Sequence, residues 1–457
     1  APRQASSKHR TDCTLVAGMA RSVLALLVAA HVLPRSVTGV PDASAACDAE
    51  DQSFIQRQVK AEHAVVREHR DEPDAPPTEQ CDMEKDKHGC RVSHMRRGQI
   101  YDVFPGGGTA CLDSSQPYYF QVVKGNPRKL LFFFEDGGFC ATRVQYLSNQ
   151  FCTRKPRRDT PYSGLLNQSD HRNPYRDYSI VRVSYCSGDA HGGNSTQPWG
   201  LNGEVVQLRG SVNAEAVLQW AKSQFPYLTN LVLGGYSAGS TGVQGWANRI
   251  IDQLGRRCAH ISVLADSGVG HLFPVEGLDM VIRGIYHIWG TCTSPALTEE
   301  DQMRCKAGDL MPDTYFIETM RRYPKAAFAM INSKSDASQI MFSSASTGQP
   351  VTPGDFYKQM TLKLKKYVNE PNFRSFLING KFHIFTRLEN VFEATATGPE
   401  GGGNGQVLVD WLQDLTTCSS KWPENICEGP SVKVTEDGEA VSIPIYCDPA
   451  LVGTGSQ

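Results

Sequence analysis

Gly235-Tyr236-Ser237-Ala238-Gly239 sets a serine among small residues, after the apolar run Leu231-Val232-Leu233 and ahead of a helical pattern over 242–254. This is the G-x-S-x-G signature of a nucleophile elbow, a sharp strand-to-helix turn that strains its serine and admits only small neighbours. An ordinary strand-to-helix turn could also be rich in glycine, but the strand before and the helix after favour a nucleophile. Such a serine performs acyl transfer. It needs a base, an acid that orients the base, and backbone donors for the oxyanion.

In α/β-hydrolases the partners follow the serine in the order acid, then histidine. Of the 12 histidines, only His260, His271, His287 and His383 lie beyond Ser237. His260 opens an apolar strand and reads as packed; His271 and His287 leave no room for an acid on a later strand. His383, in Gly380-Lys381-Phe382-His383, follows the last strand pattern and is the expected base. Two aspartates compete for the acid. Asp336 closes Asn332-Ser333-Lys334-Ser335-Asp336, beyond a strand over 326–331, and sites in open α/β sheets lie at such carboxyl ends. Asp266, in Leu264-Ala265-Asp266-Ser267-Gly268, ends the strand after the nucleophile's helix; it is the alternative acid, or a carboxylate capping its own turn. Ala238 N–H should supply one oxyanion donor. The others should come from Phe134-Glu135-Asp136-Gly137-Gly138-Phe139-Cys140, where Gly137 and Gly138 let the backbone approach a substrate oxygen. A plain strand-end turn would carry the same two glycines.

The elements that must position these groups follow from hydropathy. Apolar stretches predict strands over 118–123, 129–135, 178–185, 230–234, 260–266, 326–331 and 374–378. Helical patterns cover 203–224, 242–254, 312–323, 354–368 and 405–415. Strands alternating with helices predict an α/β fold with a mostly parallel sheet and helices on both faces. Residues 1–46 read as a signal or leader region, 47–98 as a polar N-terminal extension, and 99–457 as the α/β-hydrolase-like catalytic domain. Within the extension, 54–70 could form an amphipathic helix and 71–80 a proline-bearing linker. Five glycines in 398–405 mark a surface loop.

A net charge of −2 gives no electrostatic reason to expect nucleic acid or a membrane surface as partner. The 14 cysteines, spread from Cys13 to Cys447 without a paired C-x-x-C, point to disulfides stapling loops in an oxidising compartment rather than to zinc. Met19-Ala20-Arg21, the short apolar run Ser22-Val23-Leu24-Ala25-Leu26-Leu27-Val28-Ala29-Ala30 and the small residues at 43–46 match a cleaved secretion signal, with an uncleaved anchor as the alternative, and the run is short for a membrane span. A secreted monomer is expected. Asn167-Gln168-Ser169 and Asn194-Ser195-Thr196 fit the N-glycosylation pattern.

Taken together, the elbow, the Gly137-Gly138-Phe139-Cys140 loop, Tyr185-Cys186-Ser187-Gly188-Asp189 and Ala265-Asp266-Ser267-Gly268 resemble the pectin acetylesterase family, which includes Notum-type deacylases of lipid-modified proteins. Pro161-Tyr162-Ser163-Gly164-Leu165-Leu166 and Asn173-Pro174 add to the likeness, which runs from about Pro105 to His383. It departs where Asp136 stands for a glycine and Phe139 for a tryptophan. The resemblance implies a serine carboxylesterase without metal or cofactor, acting on an acylated polysaccharide such as pectin or, alternatively, on an acylated protein. Ser237 would be nucleophile, Asp336 acid, His383 base, and Gly137, Gly138 and Ala238 the oxyanion positions. A non-catalytic extracellular binding protein on the same scaffold is the reading from another class. With spacing, the resemblance also implies disulfides Cys140–Cys152, Cys111–Cys186 and Cys258–Cys292; Cys418–Cys427 is a local expectation. Thirteen cysteines remain after signal removal, so one is left over.

Overall fold

Leu130-Leu131-Phe132-Phe133-Phe134 shows no polar alternation because both faces of this strand are covered. Leu130, Phe132 and Phe134 point into one core with Val217, Trp246, Phe316 and Phe356, while Leu131 and Phe133 point into a second core with Tyr175, Phe392 and Trp411. These are the two sides of a ten-stranded sheet. In the computed structural model the described residues run from 78 to 451, apart from 87, 158–161, 270–277, 388, 393, 397–405, 417–421, 429–433, 437–438, 442–446 and 449–450.

In chain order the sheet strands are β1 (Glu79–Asp82), β2 (Ile100–Phe104), β3 (Phe120–Val123), β4 (Asn126–Phe134), β5 (Tyr178–Val183), β6 (Asn230–Tyr236), β7 (His260–Asp266), β8 (Ala327–Ser333), β9 (Phe373–Ile378) and β10 (Ile426–Cys427). Their spatial order is β1-β2-β3-β5-β4-β6-β7-β8-β9-β10. From β5 to β10 every pair is parallel; β2–β3 and β3–β5 are antiparallel. Helices α1 (Gly210–Gln224), α2 (Ala238–Leu254), α3 (Pro312–Arg322) and α5 (Pro353–Tyr367) bury their apolar stripes in the first core, and α6 (Leu408–Thr416) fills the second; α4 (Ala337–Thr347) lies between α3 and α5 in the chain. The fold is α/β-hydrolase-like, with a mostly parallel sheet covered on both faces.

All seven strands expected from sequence belong to this sheet. The three it did not suggest, β1, β2 and β10, lie at or near its edges, and two of them have four residues or fewer. Such strands carry little periodic signal. The helix expected over 203–224 starts only at Gly210, because Val206–Leu208 pairs with Ser195–Gln197 in a separate hairpin. Arg143–Ser148, Leu278–Trp289, Glu299–Ala307 and α4 were not anticipated as helices. The leader, the 54–70 helix and the glycine loop lie outside the described residues.

Five disulfides join described residues: Cys81–Cys90, Cys111–Cys186, Cys140–Cys152, Cys292–Cys305 and Cys427–Cys447. Two expected pairings are corrected. Cys292 sits on a short turn packed against the helix Glu299–Ala307, so its partner is the buried Cys305, 13 residues on, and not Cys258. Cys258 is a free, half-buried thiol. Cys427, at the sheet edge, is met by Cys447 rather than Cys418, which lies outside the described residues. Among the described residues no helix is long and apolar enough to cross a membrane.

Candidate active site

Ser237 stands between β6 and α2 with φ 54° and ψ −120°, the strained turn expected of an elbow. The helix begins at Ala238, four residues earlier than its hydropathy suggested, so the serine abuts the helix N-terminus directly. The small neighbours are a steric requirement. A Cβ on Gly235 would collide with the Gly239 carbonyl oxygen, and one on Gly239 with that of Phe134. The serine's own N–H donates to the carbonyl of Asp266 at 2.9 Å, tying the elbow to β7.

Two distant residues converge on this serine. The Ser237 Oγ lies 2.8 Å from His383 Nε2, and His383 Nδ1 lies 2.9 and 3.0 Å from the two carboxylate oxygens of Asp336. An ionised carboxylate only accepts, so Nδ1 carries the ring proton and Nε2 accepts from the serine hydroxyl. Asp336 is fully buried, Ser237 nearly so, and the His383 side chain keeps 16% exposure. Asp336 is also the N-cap of α4: its Oδ1 accepts from Gln339 N at 2.9 Å, and Oδ2 from Gln339 Nε2 at 2.7 Å. Gln339 Nε2 further reaches Asn332 Oδ1 at 2.8 Å. Gln339 went unnoticed in the sequence, although Asp336-Ala337-Ser338-Gln339 ahead of Ile340 is a capping pattern.

Asp266, the rival, is not at the imidazole. Its Oδ2 accepts from Phe385 N (2.8 Å), Thr386 N (2.6 Å) and Thr386 Oγ1 (2.7 Å), and Oδ1 accepts from Ser267 Oγ (2.8 Å). The carboxylate therefore holds the loop that follows His383. Burial pushes its pKa up, against the opposing pull of the Thr386, Ser267 and Phe385 donors.

Parallel pairing of β4 with β6, Phe134 beside Gly235, brings the carbonyls of Phe134 and Glu135 against Gly239 of the elbow, and Gly137 and Gly138 follow in the loop beyond. The loop's carbonyls are turned away and held: Gly137 O accepts from Thr153 N at 2.7 Å and Gly138 O from Tyr185 Oη at 2.8 Å. The Cys140–Cys152 bridge closes the same loop. Gly138 has φ 66°, and a Cβ there would strike the Phe151 carbonyl. The amides of Gly137, Gly138 and Ala238 donate to no acceptor among the described residues. Unbonded backbone N–H groups are what an oxyanion requires.

Asp136, which stands where the resembled family has glycine, is bound to Arg157 (Nη2 to Oδ1 2.5 Å), with Arg387 3.9 Å away. Burial raises its pKa, but the two guanidinium charges outweigh it and hold the carboxyl below the usual range. Beneath it the buried Glu135 pairs with Arg182 and accepts from Tyr185 N at 3.1 Å. Phe139 is buried against Phe342 and Trp289, with ring centroids 5.1 and 5.9 Å apart. Of the rejected histidines, His260 begins β7 and His287 lies on Leu278–Trp289; His271 is outside the described residues.

A family model described as pectinacetylesterase matches residues 105–398, well over half the chain and a span holding Gly137, Gly138, Ser237, Asp336 and His383. No curated protein matches the chain.

Proposed function

Because the chain belongs to the pectinacetylesterase family, and is by that membership a carboxylic ester hydrolase, we propose that it removes O-acetyl groups from an extracellular polysaccharide such as pectin through a Ser237–His383–Asp336 triad. One observation carries this reading: the single imidazole that bridges Ser237 Oγ at 2.8 Å and the buried Asp336 carboxylate at 2.9 Å. His383 Nε2 takes the hydroxyl proton as Oγ attacks the ester carbonyl carbon. The oxyanion is met by the amides of Ala238, Gly137 and Gly138, and Asp336 stabilises the imidazolium. Collapse expels the sugar oxygen, which takes the proton from His383. Water, deprotonated by the same nitrogen, then attacks the acetyl-serine, releasing acetate and restoring Ser237.

A further feature supports the reading. Five disulfides among the described residues fit an oxidising, extracellular setting.

The test is hydrolysis of acetyl against longer acyl esters by the full chain and its Ser237→Ala variant. The variant should lose at least ~10⁴-fold in kcat while keeping its fold. Equal activity would remove the nucleophile, and turnover of long acyl chains alone would turn the reading toward deacylation of a lipid-modified protein.

A further inference from the structure

Between Ser237 and His383 lies a second set of bonds that the reaction itself does not use. Asp266 gives its carbonyl to the Ser237 amide (2.9 Å) and its carboxylate to the amides of Phe385 (2.8 Å) and Thr386 (2.6 Å). The neighbouring Ser267 donates its hydroxyl to Asp266 Oδ1 and accepts from Ile384 N, each at 2.8 Å. Two consecutive residues thus hold the nucleophile's backbone and the three residues after the base. They are themselves anchored in the sheet: Asp266 pairs with Tyr236 on one side and Ile331 on the other, and Ser267 N donates to Ile331 O at 2.8 Å.

Backbone strain gathers on the same bonds. Six non-glycine residues among those described have positive φ, and three of them are Ser237 (54°), Ser267 (55°) and Ile384 (69°). Positive φ is costly for a β-branched residue such as Ile384, and such strain persists only where surrounding bonds over-determine it. At 1% exposure Asp266 can touch no substrate.

We propose that Asp266 and Ser267 form a positioning clamp that sets the distance and alignment of Ser237 Oγ and His383 Nε2. The proposal builds on the serine-hydrolase reading above. A misplacement of about 1 Å between reacting groups can cost ~10²-fold in rate, so the clamp should govern kcat rather than substrate binding. Asn at 266 keeps the shape and one acceptor oxygen; Ala removes all the carboxylate's bonds.

The experiment compares Asp266→Ala, Asp266→Asn, Ser267→Ala and Ser237→Ala in the full chain. It measures kcat and KM for 4-nitrophenyl acetate per folded molecule, the pH profile of kcat/KM, and thermal unfolding. Asp266→Ala should lose ~10²-fold in kcat with KM within about threefold of wild type. The pKa of the general base, which sets the acidic limb of the pH profile, should be displaced, and Asp266→Asn should recover part of the loss. Ser267→Ala, which removes the bonds to Asp266 Oδ1 and from Ile384 N, should lose roughly tenfold. Wild-type kcat per folded molecule with only a lowered melting temperature would reduce the clamp to a structural role and overturn the proposal. Should Asp266→Ala not fold, full kcat in both Asp266→Asn and Ser267→Ala would overturn it equally. An active Ser237→Ala would instead sink the underlying hydrolase reading, whatever the other variants do.

Discussion

Asp266 ends β7 and Asp336 lies three residues beyond the neighbouring β8; both are almost completely buried, yet they are met by different donors. Asp336 receives an imidazole N–H and two donors from Gln339. Asp266 receives two backbone amides and two hydroxyls, with no ring nitrogen among them. A buried carboxylate at a strand end is therefore not defined by its burial or by its place in the sheet. What it can do follows from which donor the long-range fold turns toward it: one that faces a titratable ring is placed to assist proton transfer, and one that faces main-chain amides is placed to anchor them.

The sharpest way to break this contrast is to neutralise each carboxylate in turn. Asp336→Asn should cost ~10⁴-fold in kcat, because an amide no longer enforces the tautomer that leaves Nε2 free to accept. The fold should survive, since Asn caps a helix about as well as Asp. Asp266→Asn should cost far less, and esterase kinetics alongside circular dichroism would expose a reversed ranking, which would exchange the two assignments.

A third buried aspartate extends the comparison to stability. Asp189 accepts from Ser187 Oγ at 2.6 Å and Gly210 N at 2.8 Å, but burial dominates and pushes it up from 3.8 to about 6. Its contribution to stability is complete below pH 3.8 and is lost as pH rises through about 6. His191, two residues on, is driven by burial from 6.5 down to about 4, so its contribution is complete above pH 6.5 and is lost as pH falls toward 4. Each amounts to about 3 kcal/mol, and they oppose one another between pH 4 and 6. Denaturant unfolding across that window should show little net slope from this pair. Asp189→Asn should unmask a loss of stability on acidification, and His191→Gln a gain.

A smaller effect probes the support of the acid itself. Gln339→Leu removes one donor from Asp336 and the link to Asn332, and kcat should fall by roughly tenfold. An unchanged kcat would mean that the helix cap alone holds the acid.

Much of the sheet was legible because its central strands are covered on both faces and read as unbroken apolar runs, as at Leu130–Phe134 and Leu231–Leu233. The edge strands were not, since β1 and β10 lack such runs. Helix α4 was obscured because its apolar residues Ile340, Met341 and Phe342 are consecutive, although Asp336 and Gln339 mark its start. Of the four disulfides expected, the two flanking the Gly137-Gly138 loop and Tyr185 formed as expected. The wrong ones fell where a cysteine's partner is decided by which helix or terminal segment packs against it.

By itself the sequence determined the turn at Ser237, because part of that geometry is a matter of local sterics: Gly235 approaches the Gly239 carbonyl too closely for any side chain. It also set the order in which acid and base must follow. Which aspartate faces the imidazole was decided only in the tertiary structure. That choice depends on the direction of the loop carrying His383, and the direction is held by hydrogen bonds from residues 384–386 to Asp266 and Ser267, some 120 positions away. No local pattern encodes a constraint of that range.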